Sequence, residues 1–277
     1  MPKGISLHVG VNETDPDCFA LSPLDGCVND ATAMYYLAKL RGFTERRLLT
    51  DKEATFENVT KMIQYAAGEL VSEGDVFLFT FAGHGTQVSD EDGELFEFQD
   101  EAIVLHDRIL IDDVLRRRYW PKFNPGVRVI FVTDCCHGGT LLEAPLAATE
   151  PREADKIVRE RLLPDDVRHD HLEKFPNFYT KILSNLAPPA DLQSSLIHLA
   201  ACPDERKTPD GLPHGLFTEV LLEVWDDGSF AGTYEEFRQK IESHPKLVAR
   251  GQIPTIEREL GRPLTPPFRE QKPIFKI

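Results

Sequence analysis

Short apolar runs alternate with amphipathic segments along most of the chain. Runs of mostly apolar residues predict buried strands at 5–11, 75–81, 127–133 and 195–201, with shorter extended pieces at 47–50 and 252–256. Apolar residues at helical spacing predict helices over 29–40, 55–70, 216–225 and 234–243. This alternation predicts an α/β fold in which helices cover both faces of a mostly parallel sheet.

Two segments interrupt this pattern. Residues 89–101 are acidic and contain glycine, which predicts a hairpin or loop. Residues 144–189 are charged, marked by prolines and only weakly periodic. A long segment of that kind inside a compact domain is usually functional or disordered.

The chain's 277 residues are enough for one large α/β domain or two small ones. A net charge of −15 argues against nucleic acid as a partner and favours basic partners, unless the charge serves only solubility. Five cysteines without a CxxC pair indicate reduced thiols. No signal-peptide pattern and no apolar stretch near the ~20 residues of a membrane helix are found, so we expect a cytoplasmic location without membrane association.

Two of the predicted central strands end in residues that can do chemistry. The strand through Phe81 leads into His84 and Gly85, and the strand through Thr133 leads into Cys136. Functional groups gather at the carboxyl ends of the central strands of open α/β sheets, so these two residues could face each other.

A cysteine and a histidine in this arrangement suit peptide hydrolysis. The imidazole of His84 can take the proton of the Cys136 thiol, and the resulting thiolate is the nucleophile. The backbone N–H groups of Gly85 and Cys136 could receive the developing oxyanion. Taken alone, His84 reads as a loop histidine and Cys136 as a buried small side chain; the two together favour catalysis.

The residues around both positions resemble a known family. The sequences Phe-Ala-Gly-His84-Gly and Asp134-Cys-Cys136-His-Gly-Gly resemble the histidine and cysteine motifs of metacaspases and bacterial orthocaspases, caspase-like cysteine peptidases. The spacing of 136 − 84 = 52 residues is similar to the about 50 residues of caspases. Residues 24–30 and 214–218 resemble two further, weaker family motifs.

This resemblance implies a caspase-like three-layer α/β/α sandwich with a mostly parallel six-stranded sheet. It implies one catalytic domain over 1–277, with a large-subunit-like half (1–144), an insert (145–189) and a small-subunit-like half (190–277), acting as a monomer. It also implies that Cys136 is the nucleophile and His84 the base, whereas Cys135 and His137 are not. Ala82 and Gly138 stand where many metacaspases have serine, which leaves subfamily and rate open.

Metacaspases cut after arginine or lysine, and the resemblance places three residues in the substrate pocket: Asp30, Asp134 and Cys27. Two carboxylates can bind the guanidinium of an arginine with charge-assisted hydrogen bonds, and a lysine less completely. On the residues alone, Asp30 is better explained as a helix N-terminal residue and Asp134 as a turn or cap residue. Arginine and lysine are not distinguished at this stage.

The insert itself offers basic residues to such an enzyme. We expect it to be either an activation linker, cut by this enzyme or by a partner protease, or a solvated loop. The candidate processing residues are Arg152, Lys156, Arg159, Arg161 and Arg168.

No cofactor is required for this chemistry, but calcium is a potential activator in the family. Hard oxygen ligands from several loops suit that ion. The residues that fall near the family's calcium positions are Asp100, Asp112, Asp113 and Glu143.

Two other functions compete with a peptidase that acts on proteins with exposed arginine or lysine. One is a catalytically silent caspase-like scaffold, against which the presence of both His84 and Cys136 argues. The other is a metal-binding protein using His84, Cys135, Cys136 and His137, which lack the spacing of a zinc site.

Overall fold

A computed structural model describes residues 1–88, 100–136, 160–188, 191–201, 210–249, 255–260 and 275–277; the side chains of 100 and 255–260 are not described. The strands are β1 (Gly4–Gly10), β2 (Glu45–Thr50), β3 (Val76–Ala82), β4 (Gly85–Val88), β5 (Asp100–Val104), β6 (Ile109–Ile111), β7 (Arg128–Asp134), β8 (Ser195–Ala200) and β9 (Thr255–Leu260).

Six of these strands form the central sheet, in the order β2-β1-β3-β7-β8-β9. All neighbours in it are parallel except β8 and β9, which are antiparallel. Strands β4, β5 and β6 form a small antiparallel sheet beside it. The predicted mostly parallel six-stranded sheet is therefore confirmed.

Eight helices are described: α1 (Cys27–Leu40), α2 (Phe56–Tyr65), α3 (Asp112–Val114), α4 (Asp165–Lys174), α5 (Pro176–Leu183), α6 (Leu216–Trp225), α7 (Tyr234–Glu242) and α8 (Pro245–Val248). After α2 and α3 the chain continues in wider helical turns at Ala66–Leu70 and Leu115–Tyr119. None of the described helices combines the length and the apolar composition that crossing a bilayer requires.

Successive side chains of β3 point to opposite faces of the sheet, and both faces are covered by helices. Phe77, Phe79 and Phe81 point into one core, which also contains buried residues of α2 and α5. Val76 and Leu78 point into the other, with buried residues of α1, α6 and α7. Because successive side chains of a strand face opposite ways, a strand buried on both faces is almost wholly apolar, as the sequence pattern indicated.

The predicted insert is the largest departure from the sequence analysis. Residues 165–183, for which no helix was predicted, form α4 and α5 and pack on the first core. Other differences are small: α1 begins at Cys27 rather than at residue 29, and β9 covers 255–260 rather than 252–256.

Candidate active site

The carboxyl ends of β3 and β7 lie side by side in the middle of the sheet. The two strands pair in parallel with Ala82 opposite Asp134, and the Gly83 N–H approaches the Asp134 carbonyl oxygen at 3.4 Å. Each chain then leaves its strand, and His84 and Cys136 both follow two residues after this pair. The parallel register thus brings the two sequence motifs to one edge of the sheet.

A carbonyl oxygen of the chain itself occupies the space between these motifs. The backbone N–H of Gly85 donates to the carbonyl oxygen of Arg161 at 2.9 Å, and that of Cys136 donates to the same oxygen at 3.1 Å. Two convergent donors on one oxygen are the arrangement that stabilises an oxyanion. Residue 85 must be glycine here, because a Cβ would lie 2.0 Å from the carbonyl oxygen of Cys136.

The chain around Arg161 runs as an added strand beside β4. Leu162 forms a parallel bridge with Gly85, and the Leu163 N–H donates to the Gly85 carbonyl oxygen at 2.8 Å. Leu163 is buried in the first core. The segment is therefore extended and held on both sides of the Arg161–Leu162 bond.

His84 lies beside this segment and is uncharged near neutral pH. Burial lowers its pKa to about 4, with a further lowering by Arg161 and an opposing effect of the Leu162 backbone. Both ring nitrogens are buried. A neutral imidazole can accept a proton.

The Arg161 side chain is fully buried in a pocket of three carboxylates. Its Nη2 lies 2.6 Å from Asp30 Oδ2 and 2.9 Å from Asp210 Oδ1, and its Nη1 lies 3.0 Å from Asp134 Oδ2. The Nε–H also donates to Asp210 Oδ1 at 3.2 Å. Each nitrogen of the guanidinium therefore has a carboxylate partner.

Neighbouring groups fix the carboxylates in place. Asp134 accepts hydrogen bonds from the Thr218 hydroxyl at 2.6 Å and its backbone N–H at 3.1 Å. Asp30 pairs with His214 Nδ1 at 2.9 Å. Gly215 forms one wall, where a Cβ would stand 2.6 Å from the Arg161 guanidinium carbon.

The carboxylates of this pocket stabilise the charged form of the Arg161 guanidinium. Burial alone would lower the pKa of Arg161, but Asp134, Cys27, Asp30 and Asp210 raise it well above its usual range. The hydrogen bond to Asp30 raises the pKa of His214. Three carboxyl groups thus surround one guanidinium, and burial raises the pKa of Asp134 against the opposing effect of Arg161.

Cys27 and Cys135 lie in surroundings that disfavour their thiolate forms. Cys27 is buried beneath the pocket, with its Sγ 4.0 Å from Asp210 Oδ1, and Cys135 is buried in the first core. Burial raises the pKa of both thiols well above the ordinary value. Both thiols therefore stay protonated and poorly reactive.

The candidate processing residues differ in setting. Arg161 lies in the site, whereas Arg168 is on α4, where it pairs with Asp165 and donates to the Gln87 carbonyl oxygen at 2.9 Å. Arg152, Lys156 and Arg159 lie outside the described residues, as does His137.

The structure describes the side chains of two of the four candidate calcium residues, Asp112 and Asp113. Asp113 is engaged by Arg117 at 2.9 Å, and Asp112 begins α3. The Asp100 side chain and Glu143 are outside the described part, within which no cluster of three metal-binding side chains is found. Calcium binding stays a prediction.

Asp210 and His214 are the pocket residues that the sequence analysis missed. Asp210 belongs to a polar stretch after β8 that carries no local pattern, and it reaches the pocket by accepting backbone hydrogen bonds from Asp25 and Gly26. His214 was noted only as part of a weak family motif, and its partner Asp30 lies 184 residues away. The places of Asp210 and His214 in the pocket are visible only in the folded chain.

Comparisons with known proteins place the chain in one family. The family model for the metacaspase, peptidase C14 domain matches residues 6–145. Metacaspase-4 of Arabidopsis thaliana is 37% identical over 128 residues, 43% of this chain and 31% of that protein. A Trypanosoma brucei brucei protein named inactive metacaspase-4 is 29% identical over 53% of this chain and 44% of its own length. The matches thus span less than half the length of these curated relatives.

Two solved structures share the architecture. A Geobacter sulfurreducens protein superposes with a TM-score of 0.83 and 32% identity, covering 100% of this chain and 99% of that one. Caspase-1 of Spodoptera frugiperda superposes with a TM-score of 0.54 and 15% identity, covering 94% of this chain and 88% of that one. The second likeness shows that the fold is caspase-like.

Proposed function

Because this chain belongs to the metacaspase family of peptidase C14 domains, we propose that it is an endopeptidase that cuts after arginine through Cys136 and His84. One observation carries the proposal. The chain holds its own Arg161 as a substrate would be held, with the side chain among carboxylates and the carbonyl oxygen on two backbone N–H groups.

The proposed role of each site residue follows from the way in which Arg161 is bound. Cys136 attacks the carbonyl carbon of the bound arginine, and neutral His84 accepts the thiol proton and passes it to the leaving amine. The N–H groups of Gly85 and Cys136 stabilise the oxyanion, at about 3 kcal/mol for each donor in well-studied hydrolases. Asp30, Asp134 and Asp210 bind the arginine side chain.

Arginine suits this pocket better than lysine. Asp210 meets both the Nε–H and a terminal nitrogen of the guanidinium, and a lysine has no Nε–H donor. The single nitrogen of a bound lysine could not reach all the carboxylate oxygens that the three guanidinium nitrogens contact, so at least one charge-assisted hydrogen bond would be lost, which costs about 1.5–3 kcal/mol. We therefore expect arginine to be preferred by about tenfold or more.

Arg161 is the self-processing site that the geometry favours. Cleavage of the Arg161–Leu162 bond would remove the covalent link that holds Arg161 in the pocket, so that arginine residues of other proteins could compete with it for the carboxylates. Arg168 is less suited, since its helical backbone would have to unwind before entering an extended-strand site. A partner protease remains the alternative route.

Fluorogenic peptides that end in arginine, lysine or aspartate test the proposal. We expect cleavage after arginine, weaker cleavage after lysine and none after aspartate, because the pocket is acidic. Parallel assays in calcium and in chelator test the calcium prediction, which full activity in chelator would end. No cleavage by the nicked protein would favour the silent scaffold, for which the inactive relative is a precedent.

An Asp210→Asn variant sharpens the specificity test. Loss of this charge should lower kcat/KM for arginine peptides at least tenfold, because the hydrogen bond from the arginine Nε–H to residue 210 weakens. The ratio of kcat/KM for arginine peptides to kcat/KM for lysine peptides should fall as well. Asp191→Asn is the matched control, since Asp191 is exposed near the amino end of β8, at the opposite edge of the sheet. An unchanged ratio in Asp210→Asn would contradict the role given to Asp210.

A further inference from the structure

The chain that follows the Arg161–Leu162 bond is fixed close to it. Leu163 is 1% exposed in the core and bonded to Gly85. Only Pro164 separates it from α4. A new amino terminus at Leu162 therefore starts within two residues of a helix.

That helix is anchored by specific contacts. Arg168 donates to the Gln87 carbonyl oxygen of β4 at 2.9 Å. His171 stacks on Phe19 with ring centroids 4.0 Å apart and contacts the Tyr179 hydroxyl at 2.7 Å. Tyr179 in turn accepts a hydrogen bond from the Ile109 N–H at 2.9 Å.

The same fragment also contributes β8 to the central sheet, between β7 and β9. It cannot leave a nicked molecule unless the sheet comes apart. On the other side of the bond, Arg161 is held by three carboxylates and two backbone donors. Both ends of a cut bond would thus remain where they were.

From this geometry we infer that the enzyme also makes peptide bonds: the nick after Arg161 is reversible, and Cys136 and His84 reseal it. The inference rests on the proposed function. It adds a second activity, transfer of the Arg161 acyl group to an amine, which the fixed position of Leu162 favours over transfer to water.

The chemistry is the reverse of cleavage. In the forward step the Cys136 sulfur bonds to the Arg161 carbonyl carbon, the bond to the Leu162 nitrogen breaks, and His84 gives that nitrogen a proton. Water then hydrolyses the thioester, which leaves an Arg161 carboxyl group and the free Cys136 thiol and completes the nick. In resealing, the Cys136 sulfur attacks the protonated Arg161 carboxyl group, His84 passes the thiol proton to the leaving oxygen, and water departs as the thioester forms again. The neutral Leu162 amine then attacks the thioester, the carbon–sulfur bond breaks, and the amine's proton returns through His84 to the sulfur. No oxidant, reductant or nucleotide is needed.

The balance between resealing and hydrolysis depends on how well the amine is held. Well-oriented intramolecular nucleophiles reach effective concentrations of about 10⁵ M or more, far above that of water. An α-amino group has a pKa of about 8, so its neutral, attacking form grows as the pH rises to that value. We therefore expect resealing to be most effective in mildly alkaline solution.

Heavy-oxygen water tests resealing directly. The wild-type protein is incubated in H₂¹⁸O at pH 8, and full-length chain is separated from the two fragments under denaturing conditions. Full-length chain is then digested with a glutamate-specific protease, and the peptide that spans Arg161–Leu162 is weighed. A bond that has been hydrolysed in H₂¹⁸O and remade from the labelled Arg161 carboxyl group carries ¹⁸O in the Arg161 carbonyl group, except in molecules where the labelled oxygen left as water.

We expect ¹⁸O in the full-length chain of the wild type and none in Cys136→Ala. Fragments labelled at the Arg161 carboxylate beside unlabelled full-length chain would overturn the inference while leaving the proposed peptidase intact. A chain that is neither nicked nor labelled would overturn self-processing, and the inference with it.

A longer connection between Leu162 and α4 tests whether resealing depends on the fixed position of the Leu162 amine. Inserting Gly-Ser-Gly-Ser between Pro164 and Asp165 should raise the nicked fraction and lower labelling of the full-length chain at least several-fold, because the amine's effective concentration falls. The matched control has the same insertion between Ala187 and Pro188, after α5, where both residues are exposed. Equal labelling in both variants would contradict the role of the fixed amine.

Discussion

Alanine in place of Cys136 should abolish cleavage after arginine, both in peptides and at Arg161, whereas alanine in place of Cys135 should preserve both. Removal of the nucleophile from a hydrolase of this kind lowers kcat by about 10⁴-fold or more. Cys135 lies next in sequence but is fully buried in the core, where its raised pKa keeps the thiol protonated. Peptide hydrolysis and the length of the purified chain measure the two effects.

Thermal unfolding provides the control for this pair. Cys135→Ala removes a buried sulfur and should cost about 1–2 kcal/mol of unfolding free energy, whereas Cys136→Ala should cost no more than that. The assignment of the nucleophile would be wrong if a folded Cys136→Ala protein still cut arginine peptides.

Gly85→Ala should lower the rate of arginine-peptide cleavage by at least 10²-fold to 10³-fold, the range seen when one oxyanion donor is lost. An added Cβ would stand 2.0 Å from the Cys136 carbonyl oxygen, so the two donor N–H groups could not keep their positions. The strand pairing with Leu163 would be disturbed as well, since it uses the same residue. Steady-state kinetics on a single arginine peptide measure the loss.

Gly68→Ala is the matched control, because a Cβ at Gly68 would have no heavy atom within 4 Å. It should leave kcat/KM unchanged. If the Gly85→Ala protein unfolds like the wild type and cleaves at the wild-type rate, then Gly85 does not stabilise the oxyanion.

Much of this site could be predicted because it lies at the ends of strands. The apolar runs of β3 and β7 marked two central strands, and parallel pairing then brings their ends together, so His84 and Cys136 could be expected to meet. Asp30 was expected in the pocket from family resemblance, and the structure places it against the Arg161 guanidinium.

Helix α4 could not be predicted from periodicity. Its sequence is almost entirely polar, and its one buried residue is His171, which is held by stacking and hydrogen bonds rather than by an apolar stripe. The signal that reveals most surface helices is therefore missing. The setting of Arg161 is likewise a property of the folded chain, since three carboxylates from distant segments converge on its guanidinium.

The central claim is that the chain presents its own Arg161–Leu162 bond to Cys136. Amino-terminal sequencing of the carboxyl-terminal fragment of the wild-type protein, quenched in acid and run beside Cys136→Ala, tests it most directly. We expect a fragment that begins Leu162-Leu163-Pro164 and is absent from the variant. A first fragment that begins elsewhere, or one that forms equally in Cys136→Ala, would contradict it.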